Sequence, residues 1–308
     1  MSSFADAVAT GPVVLDGGLG TLLESHGHDL SSSLWSARLL IEDPDAIRRA
    51  HAEYFAAGAR VAITSSYQVS YAGLDAAGLS HRDADAVLAR SVELARQARD
   101  DSGLSPGEAW VAASVGPYGA SRADGSEYTG DYSLDVAQLR EWHRPRLQTL
   151  AAAAPDAIAI ETIPSLAELE AICRELDGLG VPAWVSVTIA DGRLRSGDSL
   201  VEAFELAASA PGVVAVGVNC CDVSEVRGAL TELGGTLPGV VYPNTGEVWH
   251  PDSRDWSGAA SSIASNAGEW VTSGARLVGG CCRVGPDQIA RIARAVAATS
   301  GRGGSQDA

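Results

Sequence analysis

The stretch Val213-Val214-Ala215-Val216-Gly217-Val218-Asn219-Cys220-Cys221 passes from an apolar run of strand type directly into two adjacent thiols. A second stretch, Arg276-Leu277-Val278-Gly279-Gly280-Cys281-Cys282-Arg283, repeats that order, and the two together hold four of the chain's five cysteines. Short apolar runs bounded by turn-prone residues read as buried strands. Thiols at the ends of such strands can point into a common mouth. Three soft thiolates suit zinc and leave a fourth position for a substrate, the arrangement of a catalytic rather than a structural zinc. Buried cysteine also packs as a small hydrophobe, and neither cluster has C-x-x-C spacing, so the residues alone leave packing open beside metal binding. A disulfide framework is not expected of so few cysteines in a chain this long.

Outward from these two stretches, six more runs have the same character: Val13-Val14-Leu15, Arg60-Val61-Ala62-Ile63, Trp110-Val111-Ala112-Ala113, Ala157-Ile158-Ala159-Ile160, Ala183-Trp184-Val185-Ser186-Val187 and Val240-Val241-Tyr242. Helical segments separate them. Asp43-Pro44 opens one, with Gly58 just past its end, and Ser165 to Leu179 and Pro286 to Ala297 behave similarly. Continuous apolar strands alternating with helices predict a parallel sheet with a covered outer face, and eight such units are the count of a closed (β/α)8 barrel. The expected fold is therefore α/β, a single TIM-type barrel over residues 1–300, with a disordered Gly-rich tail at residues 301–308. A doubly wound open sheet is the competing arrangement.

A chain of 308 residues with 46% hydrophobic composition can bury one large core. Its formal charge of −17 argues against a nucleic-acid partner, because phosphate binding needs clustered Lys or Arg; the chain has no lysine, so its basic residues other than His are all Arg. The segment Met1-Ser2-Ser3-Phe4-Ala5-Asp6 has neither a basic nor an apolar leader region, and no apolar run reaches the ~18 residues that span a bilayer. No membrane partner is expected. A cytoplasmic location, where thiols stay reduced, follows as the expectation.

In a barrel of this kind, function belongs at the C-terminal strand ends. Those ends read Asp16-Gly17-Gly18, Thr64-Ser65-Ser66-Tyr67-Gln68, Gly116-Pro117-Tyr118, Glu161-Thr162, Thr188, Asn219-Cys220-Cys221, Pro243-Asn244 and Cys281-Cys282. Asp16 and Glu161, carboxylates on different strands, can hold the ammonium of an amino acid, although capping and solvated-loop roles stand beside that reading. Gly17-Gly18-Leu19-Gly20 fails the dinucleotide pattern G-x-G-x-x-G, since Leu23 stands three after Gly20; its glycines instead allow close backbone approach to a ligand. His26 and His28 read as surface residues, and Cys173, inside Leu169-x-x-Ile172-Cys173-x-x-Leu176, as core.

Asp16-Gly17-Gly18, Gly217-Val218-Asn219-Cys220 and Gly279-Gly280-Cys281-Cys282-Arg283, in that order and over nearly the whole chain, resemble the homocysteine S-methyltransferase family. Ala159-Ile160-Glu161-Thr162 and Tyr242-Pro243-Asn244-Thr245-Gly246-Glu247 are similar to further stretches of that family. The resemblance implies a Zn2+ held by Cys220, Cys281 and Cys282, with Cys221 an extra thiol, and homocysteine contacts from Asp16, Gly17, Thr64, Glu161 and Asn219. It implies methyl transfer to homocysteine, giving methionine, from a sulfonium donor, S-methylmethionine before S-adenosylmethionine. Betaine is the alternative donor, and a zinc-binding or thiol-sensing barrel without turnover is the alternative of another class. Adjacent strand residues face opposite ways, so Cys221 should turn away from a metal held by Cys220. Gln68 offers an amide to the donor's amino-acid end, and Tyr67, Tyr71 and Tyr118 are candidate ring partners for its cation.

Overall fold

In the computed structural model, which describes residues 2–30, 36–122, 124–246, 248–250, 255–257 and 263–300, each apolar run forms a strand. These are β1 (Val13–Val14), β2 (Val61–Ile63), β3 (Trp110–Val115), β4 (Ala157–Ile163), β5 (Ala183–Val187), β6 (Val213–Asn219), β7 (Gly239–Tyr242) and β8 (Ala275–Val278). All pair in parallel, in the order β1-β8-β7-β6-β5-β4-β3-β2. A bridge from Leu15 to Val61 then joins the two ends, supported by the Arg60 amide donating to Val14 and the Asp16 amide donating to Val61. The result is the closed (β/α)8 barrel rather than an open sheet. Residues 301–308 and Glu247 lie outside the described residues.

Three strands outrun their apolar stretches. β3, β4 and β6 continue through Ser114, Glu161, Thr162 and Asn219, which are buried because the mouth of the barrel supplies them with hydrogen-bond partners. Alternation separates two cores. Ala157 and Ala159 turn inward with Ala112, Ala215, Leu277 and the large Trp110 and Trp184, while Ile158 and Ile160 turn outward to the helices. Small residues leave room inside for the indoles, so the barrel is filled, not hollow.

The floor of the barrel comes from a helix that strand and helix periodicity did not suggest. Helix α1 (Phe4–Thr10) begins with a capping box between Ser3 and Asp6, and its Phe4 ring meets Trp110 at 6.2 Å and Trp184 at 5.7 Å. Helix α2 (Leu19–Ser25) follows β1. Helix α3 (Pro44–Ala56) starts as expected, with Asp43 accepting from the Ala46 amide and Pro44 in its first turn. Helix α4 (Val136–Ala152) precedes β4. Helix α5 (Leu166–Cys173) stops short of the expected Leu179, giving way to turns in which Gly178 and Gly180 adopt φ of 77° and 70°. Cys173 is buried in the outer core, as its pattern predicted. Among the described residues no helix is long and apolar enough to cross a membrane.

Candidate active site

The thiols are brought together by two chain reversals, at the ends of β6 and β8, the strands on either side of β7. At the end of β6, Cys220 takes the left-handed conformation, φ 47°, which breaks the extended geometry between it and Cys221. The Cys221 side chain consequently lies in the outer apolar core, fully buried, while Cys220 faces the mouth. Beyond β8, the Cys281 amide donates to the Pro243 carbonyl at 2.9 Å and the Cys282 amide to Asn244 Oδ1 at 3.0 Å. Arg283 follows at φ 64°, its amide donating to Thr21 Oγ1 at 3.1 Å. This turn presses on the β1 loop. A Cβ on Gly17 would stand 2.1 Å from the Val284 carbonyl oxygen, and one on Gly18 would stand 2.6 Å from that of Cys281. The close approach that these glycines permit is thus to the cysteine turn.

The Sγ atoms of Cys220, Cys281 and Cys282 all lie within 4.8 Å of one another. Cys220 and Cys281 are joined as a disulfide, with a Cα–Cα separation of 5.6 Å, which the cysteine count did not lead us to expect. Local convergence explains it: strand ends that gather three thiols also bring two of them within bonding reach. The donor set fits zinc in its reduced state, since ~2.3 Å bonds in tetrahedral geometry set sulfurs roughly 3.8 Å apart. Burial pushes the Cys282 thiol up to about 12, with Glu127, Glu24 and Glu161 adding to the effect, so a cation is what would favour its thiolate.

Beside the sulfurs opens a cavity of about 180 Å3. Of the expected contacts, Gly17, Thr64 and Glu161 line it with the three cysteines. Glu161 accepts from Ser114 Oγ and pairs with the Tyr242 hydroxyl, which in turn takes the Trp184 indole N–H at 3.1 Å and meets Ser186 Oγ at 2.6 Å. Burial raises the Glu161 carboxyl to about 7. Asp16 and Asn219 do not line the cavity. Asp16 Oδ2 accepts from the Ile63 amide at 2.8 Å across the closing seam, and its Oδ1, though buried, has no hydrogen-bond partner. Desolvation holds this carboxyl well above the usual range, and Glu161 nearby adds to that. Asn219 braces β4 across the end of the intervening β5: Oδ1 accepts from the Thr162 amide at 2.7 Å and Nδ2 donates to Thr162 Oγ1 at 2.8 Å, holding Thr162 at φ 62°.

Among the four residues suggested for the donor, Tyr67 and Gln68 line the cavity and two do not. Tyr71 is bonded to Asp85 and Thr149, and Tyr118 packs on Tyr132 and Trp142. The wall is completed instead by Glu24 of α2 and by Glu127 and Tyr128, in the irregular segment between β3 and α4. No periodicity marks that segment, and only its Asp-Gly-Ser turn chemistry was readable.

A filled (β/α)8 barrel with three convergent thiols and a buried carboxylate at its strand C-termini defines a thiol-centred barrel enzyme. The homocysteine S-methyltransferase family model matches residues 13–296. The maize homocysteine S-methyltransferase 4 is 44% identical over 94% of this chain and 90% of its own length. Crystal structures of the homocysteine methyltransferase MmuM from Escherichia coli superpose with TM-scores of 0.82 in both the metallated and the oxidised form, at 41% and 42% identity. They cover 92% and 91% of this chain, and 96% and 94% of their own. The chain belongs to the homocysteine S-methyltransferase family.

Proposed function

We propose that Cys220, Cys281 and Cys282, once reduced, hold Zn2+, and that the adjoining cavity brings the thiolate of homocysteine into line with the methyl group of a small sulfonium amino acid. The observation that carries this reading is the convergence of three sulfurs within 4.8 Å at the wall of a cavity that also holds Glu161. Zinc, when bound, supplies the positive charge that keeps a substrate thiol deprotonated at neutral pH. The chain's own residues supply placement. Glu161, fixed by Ser114 and Tyr242, receives the homocysteine ammonium, and Gly17 and Thr64 flank it. Asp16 and Asn219 act from behind the wall, the first tying β1 to β2 and the second fixing Thr162 beside Glu161.

The step is a displacement at carbon. Homocysteine sulfur forms a bond to the methyl carbon, the donor's S–CH3 bond breaks, and its electron pair stays on the departing sulfur as a neutral thioether. Methionine is the product, and with S-methylmethionine the thioether is methionine too. No proton moves on the donor side, so the barrier is lowered chiefly by alignment of two sulfurs and one carbon. Three carboxylates and no cationic side chain line the cavity among the described residues. That balance suits a sulfonium amino acid, net +1, better than betaine, net zero.

The test is methionine formation by reduced, zinc-loaded protein, with S-methylmethionine, S-adenosylmethionine and betaine compared at equal concentration by kcat/KM. S-Methylmethionine should lead. A betaine value above both sulfonium values would overturn the donor assignment, and no methionine from any of the three would overturn the reading as a whole.

A further inference from the structure

Two buried acceptor atoms on the cavity wall lack any hydrogen-bond partner, and both belong to residues that the homocysteine contacts leave unused. One is Oε2 of Glu127 and the other is Oε1 of Gln68. The orientation of the Gln68 amide is set by its own bond, since Nε2 donates to the Ala120 carbonyl at 3.3 Å and so leaves Oε1 as the free atom. Buried acceptors are normally paired, and an acceptor left bare costs stability that a ligand's donor can restore. The two residues come from different loops yet share a support: Gln68 hangs on Ala120, while the Glu127 backbone is packed so tightly on Gly119 that a Cβ there would stand 2.4 Å from the Glu127 amide nitrogen.

Both substrates of the proposed reaction are amino acids, so two ammonium groups must be received. Glu161 takes one. An ammonium carries three N–H donors and no acceptor, which complements a carboxylate oxygen and an amide oxygen. We infer that Glu127 and Gln68 form the receptor for the α-ammonium of the methyl donor and thereby select sulfonium amino acids over onium donors without an amino group. This rests on the sulfonium reading above and deepens it. Tyr128, next to Glu127, has its ring braced by the Arg195 guanidinium 5.5 Å from the centroid, which fixes the wall on that side. Burial holds the Glu127 carboxyl above its ordinary range, and a cation placed against it reverses that shift.

The experiment uses the full, zinc-loaded chain and the nearly isosteric change Glu127→Gln, with Gln68→Leu as its companion. The parent is first shown to make methionine from S-methylmethionine; failure there sinks the donor reading and this assignment with it, whereas the outcomes below bear on the assignment alone. In Glu127→Gln the KM for S-methylmethionine should rise about 10- to 100-fold, the loss of one charge-assisted hydrogen bond. Gln68→Leu should raise it about 3- to 10-fold. The KM for homocysteine and the zinc content should stay at parent values. A sulfonium acid that lacks the α-amino group should be used equally by parent and variants. An unchanged donor KM, a rise in the homocysteine KM alone, or equal rises for both substrates would each overturn the assignment. Should Glu127→Gln lower the melting temperature, Glu127→Asp, which keeps the charge but withdraws it by one methylene, carries the same comparison.

Discussion

Replacement of Asn219 by Ala tests how the wall of the site is held. The side chain is fully buried, and both its functional groups are spent on Thr162, at 2.7 and 2.8 Å. Truncation removes two hydrogen bonds at about 1 kcal/mol each and strands the Thr162 amide, whose desolvation alone costs about 1–3 kcal/mol. Thr162 also sits at φ 62°, a conformation that costs roughly 1–3 kcal/mol in a non-glycine residue and survives only where the surroundings enforce it. Release of that constraint returns part of the loss and lets Thr162 swing, carrying Glu161 with it. The net expectation is a destabilisation of about 2–4 kcal/mol, seen as a melting temperature lower by roughly 5–10 °C. The homocysteine KM should rise at least about tenfold if Glu161 loses one hydrogen-bonded contact with the substrate. Differential scanning calorimetry and steady-state kinetics on the reduced enzyme measure both. A variant that melts within ~2 °C of the parent and keeps its homocysteine KM would refute the bracing role.

Metal analysis should find one zinc per chain after reduction and none while Cys220 and Cys281 remain joined, because a sulfur in a disulfide is no thiolate. Cys220→Ser, Cys281→Ser and Cys282→Ser should each abolish tight zinc binding, whereas Cys221→Ser and Cys173→Ser keep it; full zinc in Cys281→Ser would overturn the ligand set. Gly18→Ala should displace the cysteine turn, since its Cβ would stand 2.6 Å from the Cys281 carbonyl, and weaken zinc binding at least about tenfold by competition with a chelator. For the metal-free enzyme, Glu161 sets a pH dependence. Its folded pKa of about 7 lies above the ordinary value of 4.5, so its stabilising effect is complete below that lower value and is lost as pH rises through 7. Urea titrations should show Glu161→Gln relieving up to about 3 kcal/mol of instability at pH 8 relative to pH 4.5, and a parallel pH profile in the variant would argue against the raised pKa.

All eight strands were legible because each is a short continuous apolar run, and their parallel pairing followed from the helices between them. The mouth was read less well, for a reason particular to barrels. Position at a strand end says that a residue is near the site, not which way it points. Asp16 and Asn219 occupy such positions, yet Asp16 gives one carboxylate oxygen to Ile63 and Asn219 gives both its polar groups to Thr162, whereas Cys221 does turn away from Cys220 as expected, with a left-handed Cys220 at the junction that alternation did not foresee. Tyr71 and Tyr118 failed as wall residues because each found partners among the outer helices and loops. Glu127 and Tyr128 escaped notice because they stand on 3-10 backbone flanked by irregular chain, where no repeat betrays a direction. The disulfide escaped because cysteine counting weighs frameworks, not pairs gathered for another purpose.

The seam between β1 and β2 bears on how the protein is made. Two residues of β1 pair with the last strand, and the ring is completed to β2 through the single bridge at Leu15. The turn that carries Cys281 and Cys282 rests on Gly17 and Gly18, almost a full chain length away. A ribosome working at roughly 5–20 residues per second produces these two pieces about ten seconds to a minute apart. During that interval the first wall of the site stands without its counterpart, and Cys220 emerges before either of its companions. On the proposed ligand set, metal capture would consequently come late in biogenesis, open only to chains that have been synthesised past the final strand and have closed.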